Sequence, residues 1–194
     1  MHKSVEEFSV KTLEVGGLGA ALQALRLPFG KECRSDVWFN MSDPWYIDIH
    51  PDRRGYGFEY GVSVDEKDLL LLSTLIRRGD EHAKVLRGVC VWCEINAPLY
   101  FWKEADTYRI GAERLSSESS MHIEGKGLSE DDLVDMQEKM PNGHMQKRIW
   151  MFSYQTLRRI YFQRKDHRLP QWRKFCDWIK TLPFAAELII CEKQ

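Results

Sequence analysis

The run from Gly88 to Asn96 constrains the fold more than any other stretch of this sequence. Val89, Val91, Cys93 and Ile95 occupy every second position, with Cys90, Trp92 and Glu94 between them. Successive side chains of a strand point to opposite faces, so this alternation predicts a β-strand with one buried face. Pro98 lacks the N–H that a ladder needs and ends it. Helical signals flank the strand. Asp65 is placed to cap a helix that carries Glu66, Asp68 and the apolar run 69–76, closes on Arg77 and Arg78, and stops at Gly79. Early acids and late arginines complement the helix dipole. A second helix is expected from Pro98 to about Tyr108. With 194 residues, 43% apolar and 29% charged, the chain can bury a sizeable core. The expectation is an α/β (α+β) fold, a single domain over residues 1–194 with a mixed central β-sheet flanked by helices.

The remaining elements follow from local punctuation. Val15-Gly16-Gly17-Leu18-Gly19 lacks the order of a dinucleotide fingerprint or a Walker loop and reads as a turn. Residues 33–63, rich in Trp, Tyr, Asp, Pro and Gly, suit short strands and long loops. Ser129, with Asp132 three residues on, caps a helix running to about Lys139, and Pro141-Asn142-Gly143 is a turn. Ser153 caps the next helix, which Pro170 interrupts. Gln171–Thr181 resumes it, Pro183 ends it, and Ala185–Cys191 reads as a final strand.

The formal net charge of −1 gives no reason to expect nucleic-acid binding, but the charge is segregated. Residues 124–138 hold six acids and one lysine, whereas residues 143–174 hold nine Lys or Arg and only Asp166 as an acid. Such separation can focus a positive cleft on a nearly neutral protein. Five scattered cysteines do not form a secreted disulfide framework. Cys90 and Cys93 form a C-x-x-C string, but strand periodicity puts them on opposite faces, which opposes a shared metal. No metal is expected. Glu6 and Glu7 precede any apolar run, and no stretch approaches 18 apolar residues, so the expected setting is cytoplasmic, with no membrane span.

Leu157, Tyr161, Arg164, Arg168, Gln171 and Phe175 recur at three- and four-residue steps. An arginine on such a face needs a carboxylate, carbonyl or phosphate partner, and its planar fork suits two phosphate oxygens. Internal ion pairs would satisfy it equally well. His167, beside the helix break, serves either as a ligand donor or base or as a capping and packing group. Tyr154 and Tyr161 suit either the core or a base stack. Glu104 shares a helical face with Tyr108, and Asp106 shares another with Arg109; these positions either hold a ligand or satisfy one another. Ser120 and His122, in a serine-rich turn, can contact phosphate or ribose. The acidic 124–138 segment reads as a solvated helix face.

The strings LLLLSTLIRRGDEH, VLRGVCVWCEINAPLYFWKEADTYRIG, SSESSMH and SYQTLRRIYFQRKDHRLPQWRKFCDWI resemble, in this order, the flavin-dependent thymidylate synthases, in particular a divergent phage-like branch. The resemblance spans roughly Leu69 to Pro183. It implies an α/β sheet domain assembled as a homotetramer, with FAD and a deoxyuridine nucleotide at subunit interfaces and flavin-dependent one-carbon transfer to the uracil base. Leu157, Arg158, Arg164, Gln171 and Trp172 match the family's C-terminal pattern, and Glu118 and Ser120 match part of its serine-rich one. With the helix periodicity that singles out Arg164 and Arg168, the resemblance leads to the expectation that Ser120, Arg164, Arg168 and Gln171 hold the nucleotide, and Trp102, Tyr108, Arg109 and His122 the cofactor; no catalytic residue is assigned. The family's Arg-His-Arg string has no counterpart between Lys103 and Tyr108, and Arg109 restores only one arginine. Its loss favours the alternative of a non-enzymatic nucleotide-binding or nucleotide-sequestering protein. A structural or protein-interaction role is the third reading.

Overall fold

The computed structural model describes residues 7–40 and 59–192. The chain opens with strand β1 (Ser9–Gly16), which passes through Gly17 into helix α1 (Leu18–Arg26). A two-stranded ribbon of β2 (Asp36–Asn40) and β3 (Glu59–Ser63) precedes α2 (Glu66–Arg78). Strand β4 (Cys90–Pro98) leads directly into α3 (Leu99–Ala105), and β5 (Ala112–Ser117) follows. Two helices, α4 (Ser120–Ile123) and α5 (Glu130–Lys139), connect to β6 (Met145–Ser153). The chain closes with α6 (Tyr154–Arg164), α7 (Pro170–Ile179) and α8 (Ala185–Leu188). Whatever the 33–63 region predicts for residues 41–58 lies outside the described residues.

The main sheet has the order β1-β4-β6-β5, and every pairing is antiparallel. The expected α/β (α+β) class holds, but the mixed strand direction does not. Parallel neighbours need a long crossover between them; here β5 and β6 meet across the α4–α5 excursion and return in opposite senses. Cys90–Pro98 pairs along its whole length with Met145–Ser153 on one side and with β1 on the other, so the strand read most securely from the sequence is central. Val91, Cys93 and Ile95 are at most 1% exposed, while Cys90, Trp92 and Glu94 are half-buried on the opposite face. Arg148, Trp150 and Phe152 of β6 share the buried face and meet Trp102, Phe101, Trp172 and Phe175. The described residues thus build one aromatic core between the sheet and helices α3, α6 and α7.

The predicted caps form. Asp65 accepts from the Lys67 N–H, Ser129 from Asp132 and Ser153 from Thr156. Pro170 is the first residue of α7, so the proline that interrupts one helix starts the next. The expected final strand at Ala185–Cys191 is instead α8. Phe184 turns the chain at φ 53°, and Leu188 and Ile189 bury without a strand partner. Arg158, 4% exposed, donates to the Ile189 and Cys191 carbonyls, replacing the ladder bonds that a strand would need. Among the described residues no helix is long and apolar enough to cross a membrane.

Candidate functional site

Helix α6 presents two different faces. Its buried face carries Leu157 and Ile160 into the core. Along the opposite side, Gln155, Arg159 and Gln163 follow one another at steps of four, the spacing that aligns side chains on one helix face. Two adjoining hollows of about 410 and 420 Å³ run along that side and share Asp80, Gln155 and Arg159. The first also has Phe162, Gln163, Arg158 and Glu192 on its walls; the second has Arg87, Ile110, Gly111, Ser153 and Thr156. Arg159 donates to the Ile110 carbonyl at 3.3 Å, and Arg87 holds the Gln155 side chain at 2.8 Å. Both guanidinium groups therefore lie along the groove, with the acids Asp80 and Glu192 offsetting part of their charge. Gly111, at φ 69°, closes the floor: a Cβ there would come within 2.5 Å of Ser153 Oγ and 2.6 Å of Thr156 Oγ1.

At Gln163 the groove abuts a polar cluster. The Tyr108 hydroxyl donates to Gln163 Oε1 at 2.9 Å and accepts from Arg164 Nε at 2.8 Å. Arg164 NH1 donates to Glu104 Oε2 at 2.8 Å and lies 2.8 Å from His167 Nε2. Trp172 Nε1 donates to the same Glu104 oxygen at 2.9 Å, and the guanidinium carbon sits 4.7 Å from the Trp172 ring centroid. The shared face proposed for Glu104 and Tyr108 thus closes on one arginine, although α3 ends at Ala105. Its geometry is that of a partly buried, charge-assisted network.

The other residues singled out from the sequence separate into several places. Trp102 is 1% exposed; its indole N–H donates to the Ala97 and Gln146 carbonyls, Trp150 stacks near it, and Arg148 lies over its ring. Its one donor is used and its ring is enclosed, so Trp102 is a core residue with no exposed surface for a flavin. Asp106 pairs with Arg148 rather than with Arg109. Arg109 is exposed and lines a separate hollow of about 470 Å³ with Tyr108, Arg114, Glu113 and Trp150. Ser120 accepts from Gln137, and His122 Nδ1 lies 2.8 Å from Ser119 Oγ, so both make their bonds within the α4–α5 segment.

Arg168 does not join Arg164. The chain leaves the helix after Arg164, the shared phase is lost, and Arg168 is exposed, its carbonyl accepting from Arg173. Gln171 donates to the Tyr100 hydroxyl at 2.6 Å beside a further hollow of about 540 Å³, and its Oε1 is buried without a partner. Tyr154 is a core residue whose hydroxyl reaches the Pro183 carbonyl. Cys90 and Cys93 lie on opposite faces, and burial pushes the Cys93 thiol up to about 12, leaving it protonated. Among the described residues no group of three His, Cys, Asp or Glu is placed to hold a metal. Arg87, Gln155 and Arg159 escaped the sequence reading, although the four-residue spacing of Gln155, Arg159 and Gln163 carried the signal.

No protein-family model and no curated protein sequence matches the chain. Its architecture does match solved structures. One is the flavin-dependent thymidylate synthase ThyX from Helicobacter pylori complexed with FAD and dUMP, at a TM-score of 0.64 and 14% identity over 95% of this chain and 99% of that one. A second Helicobacter pylori ThyX structure with FAD and dUMP matches at a TM-score of 0.63 and 14% identity, over 95% and 98%. The chain has the fold of a flavin-dependent thymidylate synthase. The correspondence runs over nearly the whole of both chains, so the likeness first suggested by Leu69–Pro183 extends to β1 and α1.

Proposed function

We propose that this chain is a flavin-dependent enzyme of the thymidylate synthase type, binding FAD and acting on a deoxyuridine nucleotide by one-carbon transfer or a related pyrimidine modification. The observation that carries this reading is the near-complete fold match to two ThyX structures whose ligands are FAD and dUMP. The donor chemistry of the α6 groove supports it. Arg159 and Arg87 would hold a pyrophosphate, Gln155 and Gln163 would meet polar ring edges or ribose, and Phe162 offers an aromatic wall. A bound flavin would supply the hydride chemistry; the protein's part is to orient the two ligands and exclude water. Tyr108, expected to contact the cofactor, and Arg164, expected to hold the nucleotide phosphate, border this groove through Gln163.

Exposed Ile110, Leu115, Met121, Ile123, Leu128 and Val134 are apolar side chains that assembly into a homo-oligomer would cover, and neighbouring copies would then complete the sites. Native mass spectrometry of the freshly purified protein reads both points: a homotetramer retaining flavin is expected, and a flavin-free monomer that takes up neither FAD nor dUMP rejects the proposal. Arg159→Ala is expected to weaken FAD binding about tenfold or more, the size of a lost charge-assisted contact. Titration of flavin fluorescence measures it.

A second reading is a non-enzymatic nucleotide-binding protein on the same scaffold. It is favoured by the carboxylates Glu104 and Asp106, which stand in the stretch where the resemblance would place the family's Arg-His-Arg string and are bonded to Arg164 and Arg148. Nucleotide uptake without flavin and without turnover would select it.

A further inference from the structure

We propose that Glu104 is a specificity-determining internal anion: it fills the position that a ligand phosphate would take on Arg164, and so directs phosphate to the Arg159–Arg87 end of the groove. The inference rests on the nucleotide-site reading above but concerns this chain's own residues. A guanidinium has two edges that can grip an oxyanion with paired N–H groups, one containing Nε and the other formed by NH1 and NH2. Nε of Arg164 is taken by the Tyr108 hydroxyl, and NH1 by Glu104 Oε2 with His167 Nε2 beside it. Neither edge has two free donors. A phosphate can grip Arg164 with two bonds only if Glu104 or the Tyr108 hydroxyl withdraws, and while Glu104 stays its charge repels an incoming phosphate at either edge.

Glu104 is also held from behind. Trp172, 1% exposed, donates its indole N–H to the oxygen that Arg164 uses, so displacing the carboxylate would break two bonds and strand a buried donor. The carboxylate is nonetheless reachable, being 33% exposed against 19% for Arg164. The groove's other arginines are held by neutral groups, Arg87 Nε by the Gln155 amide oxygen and Arg159 by the Ile110 carbonyl, with Asp80 and Glu192 standing on the groove walls. Discrimination between them comes from a negative element placed on one cation.

The test compares dUMP with deoxyuridine by isothermal titration on the full chain, wild type and Glu104→Gln. Glutamine keeps an oxygen for Trp172 and removes the charge. The ratio of deoxyuridine Kd to dUMP Kd is expected to rise at least tenfold, through tighter dUMP binding, with deoxyuridine affinity within about twofold. Glu81→Gln, a control carboxylate outside the cluster, is expected to leave the ratio unchanged. An unchanged ratio in Glu104→Gln, or an equal rise in Glu81→Gln, overturns the assignment while the nucleotide reading stands. Failure of both variants and of the wild type to bind either probe or FAD overturns both. Should Glu104→Gln not fold, as judged by its melting transition, Glu104→Ala carries the same comparison.

Discussion

Replacing Gly17 with alanine is expected to destabilise the protein by roughly 4 kcal/mol or more, among the largest effects a single methyl group can have. Gly17 joins β1 to α1 at φ 85°, where a side chain is already disfavoured by about 1–2 kcal/mol. The larger cost is steric. A Cβ at this position would lie 1.8 Å from the Gly88 carbonyl oxygen and 2.9 Å from its carbon. Both are backbone atoms at the entrance to β4, so no rotamer relieves the clash. The junction must shift, and β1 is registered on β4 through Gly16 opposite Cys90, next to that point. Thermal unfolding should show the midpoint falling by roughly 10 °C, or no folded protein. A change of less than 2 °C would mean that the β1–α1 junction moves freely. Gly30, with open space around its Cβ position, is the matched control.

Asp68→Ala is expected to cost about 3–5 kcal/mol, the loss found when one member of a buried ion pair is removed. Asp68 is 0% exposed and holds together segments more than thirty residues apart in sequence. Its Oδ1 accepts from Arg26 Nε at 2.5 Å. Its Oδ2 accepts from the Arg34 and Ser35 backbone N–H groups at 2.9 and 2.8 Å, from Ser35 Oγ at 2.8 Å and from the Cys33 thiol at 3.3 Å. Alanine would leave these donors and a 14%-exposed Arg26 without their acceptor. Urea unfolding of the wild type and the variant gives the difference directly.

The same carboxylate makes stability pH-dependent. Burial alone would raise its pKa, but the bonds from Ser35 and Arg26 outweigh that and hold it well below the usual carboxylate range. A group with a depressed folded-state pKa stabilises above its unfolded value of about 4 and loses that contribution as pH falls towards the folded value. The gap between wild type and Asp68→Ala should therefore be full near pH 7 and shrink progressively below about pH 4. A gap that does not change across this range would show that Asp68 acts through packing rather than charge.

The helix caps and the central strand were legible in the sequence because their signals are local. A side chain at Asp65, Ser129 or Ser153 caps the N–H two or three residues ahead, and β4 shows its buried face in every second residue. The edge strands β1 and β5 and the central strand β6 were missed. β6 places Arg148 beside Trp150 and Phe152 on its buried face, and a charged residue hides the alternation until Asp106 is seen to neutralise it. The final segment misled for the opposite reason. Its apolar run suits a strand, but Arg158, more than thirty residues away, supplies the hydrogen bonds that let it bury as a helix and turn.

The site divides along the same line. The sequence by itself determined that a basic, aromatic C-terminal region follows the alternating strand and that Arg164 needs an acceptor; that Arg168 leaves the face it was expected to share with Arg164 came from the structure. Tertiary structure alone decided which acceptor. Glu104, sixty residues away, and Tyr108 close on Arg164 because α3 and the loop after it pack against α6 and Trp172. It also brought Arg159 and Arg87 to one groove, by the folding of α6 beside the turn that enters β4. Caps and strand faces depend on neighbours two to four residues apart, which the order of residues specifies. The partner of a charge depends on which distant segments the core brings together, and only the packed chain specifies that.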